Sequence, residues 1–84
     1  MKAAYRTEGT CASDILLDVD EQTGIINKVQ FVGGCNGNTK GIASLVEGQK
    51  ADDVIARLEG IRCGMKPTSC PDQLAKALRS VLGK

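Results

Sequence analysis

Residues 14–32, DILLDVDEQTGIINKVQFV, decide the fold. Ile15, Leu17 and Val19 alternate with Leu16, Asp18 and Asp20, a period of two that predicts a strand over Asp14–Asp20 with one apolar face. Glu21-Gln22-Thr23-Gly24 reads as a turn. Ile25–Val32 reads as a second strand with Ile25, Val29 and Phe31 on one face. Two alternating runs joined by a short glycine-containing link predict an antiparallel hairpin. Pairing Asp20 with Ile25 and counting back sets Cys11 opposite Gly34, next to Cys35. Directly opposed residues have Cα atoms about 4.5–5.5 Å apart, so Cys11 and Cys35 should be neighbours at the hairpin's open end.

Working outward, Tyr5–Thr7 is expected to add a short edge strand, and Glu8–Ala12 reads as a loop. The run from Gly33 to Asn38 turns the chain. Asn38 or Thr39 then caps a helix to Glu47, with Ile42, Leu45 and Val46 on one face and Gly48 ending it. A second helix spans Ala51–Glu59, with Val54, Ile55 and Leu58 inward and Asp52 and Asp53 in the dipole-favoured first turn. Gly60 stops it, and Arg62–Ser69 forms a loop. Pro71 suits the first helical position, which makes Cys70 the N-cap of a last helix. Leu74, Leu78, Val81 and Leu82 form its apolar stripe, and Gly83 closes it. The expected fold class is α+β: one domain over residues 1–84, a small antiparallel sheet packed with three helices.

The 84 residues carry 11 basic and 10 acidic side chains, a net charge of +1, and these are interspersed. No basic footprint for nucleic acid exists, and Tyr5 and Phe31 are the only aromatics on which a base could stack. Met1–Thr10 lacks the apolar core of a signal peptide, and the longest aliphatic run, Ile15-Leu16-Leu17, is far too short to span a membrane. The expected location is the cytoplasm, where four cysteines favour metal or redox chemistry over structural disulfides.

Those cysteines are Cys11, Cys35, Cys63 and Cys70, and the chain has no histidine. Each sits at a predicted element boundary within two residues of glycine, serine or proline, where a loop can aim several sulfurs at one point. The loop between Cys63 and Cys70 contains Gly64 and Pro67 and can return both sulfurs to one place. Arg62, Lys66 and Lys40 would offset the negative charge of a thiolate set. A domain of this size has a marginal core, and a structural zinc would add about 10–16 kcal/mol of apparent binding energy. No C-x-x-C pair is present, so redox thiols and unconnected free cysteines remain alternatives to a shared metal site. The glycine-rich run Gly33–Gly41 departs from the phosphate-binding pattern G-x-x-x-x-G-K-[ST], and its glycines serve equally to turn the chain tightly.

The segments FVGGCNGNTKGI (31–42), LVEGQ (45–49) and GIRCGMKPTSCPDQLAKAL (60–78) resemble the TSCPD-domain family, named for the string at Thr68–Asp72. In that family the module occurs as a short stand-alone protein and at the C-terminus of cobalamin-dependent ribonucleotide reductases. The resemblance implies metal binding by Cys11, Cys35, Cys63 and Cys70, with zinc as the expected ion. It also implies a role in deoxynucleotide synthesis with a ribonucleotide reductase as the expected partner. A weaker resemblance is to iron–sulfur-cluster scaffold proteins, whose cysteine positions match Cys11, Cys35 and Cys70. Here Ser13 stands where those scaffolds carry Asp, and Cys63 is an addition. That likeness implies a shared fold more than a shared activity. It keeps an iron–sulfur cluster carrier as an alternative, beside a dithiol that donates electrons to a reductase. Catalysis of ribonucleotide reduction by the isolated chain is not expected, because 84 residues leave little room for cofactor site, substrate pocket and radical cysteine.

Overall fold

The structure is a computed structural model that describes residues 1–7, 12–33, 36–61 and 68–83. Its elements run in the order β1 (Lys2–Arg6), β2 (Ala12–Val19), β3 (Ile26–Gly33), α1 (Asn36–Val46), α2 (Ala51–Leu58) and α3 (Cys70–Leu82). The strands form one antiparallel sheet in the order β1-β2-β3. The helices pack over one side: α1 on β3, α2 on α3, and α3 on β2. The α+β architecture read from the hairpin is therefore the one adopted.

The hairpin turn is held by Asp20, whose carboxylate accepts from the backbone N–H of Gln22 at 2.8 Å and Thr23 at 3.2 Å. These two bonds hold the Asp20 carboxyl below its usual pKa. Asp20 and Ile25 pair as counted, through Asp20 N–H to Ile25 O at 2.9 Å. Between the two ends the register slips by one residue and then slips back. Val19 faces Ile26, but Asp18 faces Lys28, so Asn27 is an extra residue on β3. Asp14 faces Val32, but Ala12 faces Gly33, so Ser13 is an extra residue on β2. The two bulges cancel, and the open end finishes in the register counted from the turn.

Each bulge also changes which side chains face the helices. Strict alternation places Ile25, Val29 and Phe31 together, whereas the inward set is Ile26, Val29 and Phe31. Asn27 resets the parity between Ile26 and Val29, because a bulge sets two residues against one. Ser13 does the same on β2, so Ala12 is buried along with Ile15, Leu17 and Val19. Ile25 instead bridges to Lys50 in the α1–α2 link. That link covers part of the β3 edge, through Ile26 N–H to Gln49 O at 2.9 Å and Gly48 N–H to Ile26 O at 2.7 Å. Glu47 extends the cover by accepting from Val29 N–H at 3.1 Å.

Further boundaries differ from expectation: β2 spans Ala12–Val19 rather than Asp14–Asp20, β3 spans Ile26–Gly33 rather than Ile25–Val32, and α1 and α2 end at Val46 and Leu58, before Glu47 and Glu59. The edge strand begins at Lys2 and ends at Arg6, before Thr7. Its KAAYR sequence has weak strand propensity, and pairing with β2 decides the outcome. Helix α1 begins at Asn36, ahead of the expected cap at Asn38 or Thr39; Asn and Gly favour turns only as a weak local preference that tertiary packing overrides. Within α1, Val46 is buried and Ile42 packs on the core, but Leu45 is 77% exposed. The core-facing stripe is therefore rotated from the sequence pattern, with Ile42, Ala43 and Val46 on the core in place of Ile42, Leu45 and Val46. Helix α2 buries Ala51, Val54 and Ile55, and Leu58 packs beside them.

The core gathers around Ile15, Val19, Ile26, Leu74 and Leu78, all fully buried. No helix among the described residues is long and apolar enough to cross a membrane. Leu78→Ala should cost about 2–5 kcal/mol in urea unfolding, the range for emptying a buried leucine site. Leu45→Ala should change stability by no more than about 0.5 kcal/mol, as exposed positions do.

Candidate metal centre

Helix α3 begins at the TSCPD string, and its cap is Ser69. Ser69 has extended backbone angles (φ −149°, ψ 170°), and its hydroxyl oxygen accepts from Asp72 N–H at 3.2 Å. The expectation that Cys70 is the N-cap is therefore corrected by one residue. A serine hydroxyl accepts a backbone hydrogen bond well, whereas a thiol is a weak acceptor. Cys70 becomes the first helical residue and Pro71 the second, where a missing N–H leaves nothing unpaired because the first turn has no internal acceptors. The pattern [ST]-x-x-[DE] at Ser69–Asp72 is the sequence signal for this start.

Around the cap lies a buried polar cluster that the sequence reading did not single out: Thr68, Ser69, Asp72 and Gln73, each 3–5% exposed. Asp72 is its centre. One carboxylate oxygen accepts from Gly60 N–H at 2.7 Å. The other accepts from the Thr68 hydroxyl and lies 3.4 Å from Lys76 Nζ. Gln73 Nε2 donates to Thr68 Oγ1 at 3.0 Å, and Ser69 Oγ donates to Ile61 O at 2.6 Å. Burial pushes the Asp72 carboxyl up. The bonds from Thr68 and Gly60 and the charge of Lys76 outweigh it, and the net direction is down, so the carboxylate stays ionised.

These bonds join Ile61 to Ser69 directly, and Gly60 to Thr68 through the Asp72 carboxylate, so the end of α2 is tied to the start of α3. Gly60 makes the turn out of α2 with φ +88°, a conformation that glycine adopts without a Cβ clash. Farther along, Arg79 donates from Nε and Nη2 to both carboxylate oxygens of Glu59, the Nη2 bond being 3.1 Å, which ties the end of α2 to the last turn of α3. Bonding to Arg79 lowers the Glu59 pKa, and bonding to Glu59 raises that of Arg79. Both side chains are exposed, so this pair adds little stability.

A second closure lies at the hairpin's open end. Thr7 N–H donates to Ser13 O at 3.0 Å, and its hydroxyl donates to Ala12 O. Ala12 faces Gly33, and Gly33 takes φ +79° where β3 ends.

Of the four candidate ligands, Cys70 is described: a half-buried free thiol in the first turn of α3. Cys11, Cys35 and Cys63 lie outside the described residues, as do Gly34 and residues 8–11 and 62–67, where loops are expected, with Arg62 and Lys66. Among the described residues no three His, Cys, Asp or Glu side chains gather as a metal-binding group.

The fold and this capped helix start define a small α+β module with a cysteine in the first turn of its last helix. The TSCPD domain matches residues 3–82, nearly the whole chain. The chain belongs to the TSCPD-domain family. No curated protein and no solved structure matches it.

Thr68→Val keeps the shape but removes the hydroxyl that serves both Asp72 and Gln73. Unfolding free energy should fall by about 1–3 kcal/mol, the cost of stranding a buried polar group, while Thr68→Ser should recover most of it.

Proposed function

We propose that this chain is a four-cysteine metal-binding module in which Cys11, Cys35, Cys63 and Cys70 hold one zinc ion, acting as a structural or partner-binding element for a ribonucleotide reductase. The observation that carries the proposal is a pair of closures, one at the open end of the hairpin and one at the start of α3. Ala12 and Gly33 are directly paired, and Ile61 is bonded to Ser69. Every cysteine is within two residues of one of these four pinned positions. Two extended residues reach about 7 Å, so chain length allows the two cysteines beside each closure to approach one another. Meeting of the two pairs at one ion is the proposed step.

The donor set fits the ion. Four thiolates satisfy zinc's preference for closed tetrahedral sulfur coordination in structural sites. When bound, the ion would cross-link loops that otherwise rest on a small core, and it would supply folding energy rather than catalysis. Membership of the TSCPD family supports the reductase link, since the family is associated with ribonucleotide reductases. The working location is the cytoplasm, where thiols stay reduced and available to metal.

Elemental analysis of anaerobically purified protein should give about one zinc per chain and no visible absorption, as four-coordinate structural sites hold a single ion. Replacing any one cysteine by serine should lose most of it. Full zinc retained in Cys63→Ser or Cys70→Ser would overturn the four-ligand assignment. Iron with charge-transfer bands would replace zinc by a cluster. A metal-free chain that forms a disulfide in air would replace metal binding by dithiol chemistry.

A further inference from the structure

Strand β1 is the free edge of the sheet. Met1 and Val19 exchange both backbone bonds, at 2.8 and 2.9 Å, and Thr7 N–H donates to Ser13 O. Odd positions of β1 therefore bond to β2. The even positions Lys2, Ala4 and Arg6 turn their N–H and C=O groups to the open side. Among the described residues no element pairs with that side. The strand has five residues, no proline and no register shift, so it is a straight template for an added strand.

The side chains choose the occupant. Lys2, Ala4 and Arg6 are exposed on the sheet face away from the helices, while Ala3 and Tyr5 are half-buried toward the core. A second copy adding its own β1 antiparallel in full register would set Lys2 against the other copy's Arg6 at both ends. Directly opposed like charges are destabilising. An incoming strand with carboxylates opposite Lys2 and Arg6, and apolar side chains opposite Ala3 and Tyr5, avoids that repulsion. Asp18 and Asp14 already flank Lys2 and Arg6 on the β2 side, so the added strand would complete an acid–base–acid row across each.

We infer that the β1 edge is a docking site for an extended partner segment that alternates acidic and apolar residues, taken up by strand addition. The proposal does not depend on the metal reading.

The test is a titration of the full-length, isotopically labelled chain with two capped peptides, TEVTVET and TKVTVKT, followed by amide NMR. The acidic peptide should shift the amides of Lys2, Ala4 and Arg6 first and bind about tenfold more tightly than the basic one, the effect of two cross-strand charge pairs. Ala4→Pro removes the central outward N–H while sparing the bonds to β2, and should abolish the shifts. If that variant does not fold, the double variant Lys2→Glu/Arg6→Glu keeps the test and should reverse the preference to the basic peptide. No binding, equal binding of both peptides, shifts centred outside β1, or a dimer of the chain formed through β1 would each overturn the proposal.

Discussion

The buried carboxylate of Asp72 is the constraint on which the arrangement around helix α3 depends. A charge removed from water is costly unless it is paired and fully hydrogen-bonded. Asp72 meets that demand with the Gly60 amide, the Thr68 hydroxyl and Lys76, while its own backbone N–H is taken by Ser69. Its partners come from the end of α2, the approach to α3 and the second turn of α3. Satisfying one anion therefore fixes three pieces of chain together. The Thr, Ser and Asp of the TSCPD string form this scaffold, and the Cys and Pro fill the first turn that it positions.

The hairpin contributes a different constraint. Its two bulges, at Ser13 and Asn27, lie on opposite strands and shift the register in opposite senses. Ala12 and Ile26 both turn inward, yet the open end keeps the pairing set by the turn. The Asp20 turn and the Thr7 bonds then fix the two ends of β2. The positions flanking the candidate cysteines are thus pinned at two places, one by strand pairing and one by a buried polar cluster.

Much of the fold was legible because it follows hydrophobic period. Ile15, Leu17 and Val19 declared β2, and Leu74 and Leu78 declared the face of α3. The details that escaped depend on hydrogen-bond geometry. Nothing in residues 25–32 reveals that Asn27 will be the extra residue, so Ile25 was chosen for the core in place of Ile26. Apolar character does not fix burial either, as Leu45 shows, because its helix turns the face of Ile42, Ala43 and Val46 to the core. At the candidate site, Cys70 drew attention as a thiol, while the buried roles of Thr68 and Asp72 were hidden behind their polarity. The Ser69–Asp72 spacing was the available clue, and taking Pro71 as the first helical residue placed the cap one position late.

The central claim is that four sulfurs share one ion. X-ray absorption at the metal edge of the anaerobically purified chain tests it most directly. The account predicts zinc with four sulfur neighbours at about 2.3 Å and no nitrogen or oxygen in the first shell. A fit that requires oxygen or nitrogen ligands, or fewer than four sulfurs, would contradict it.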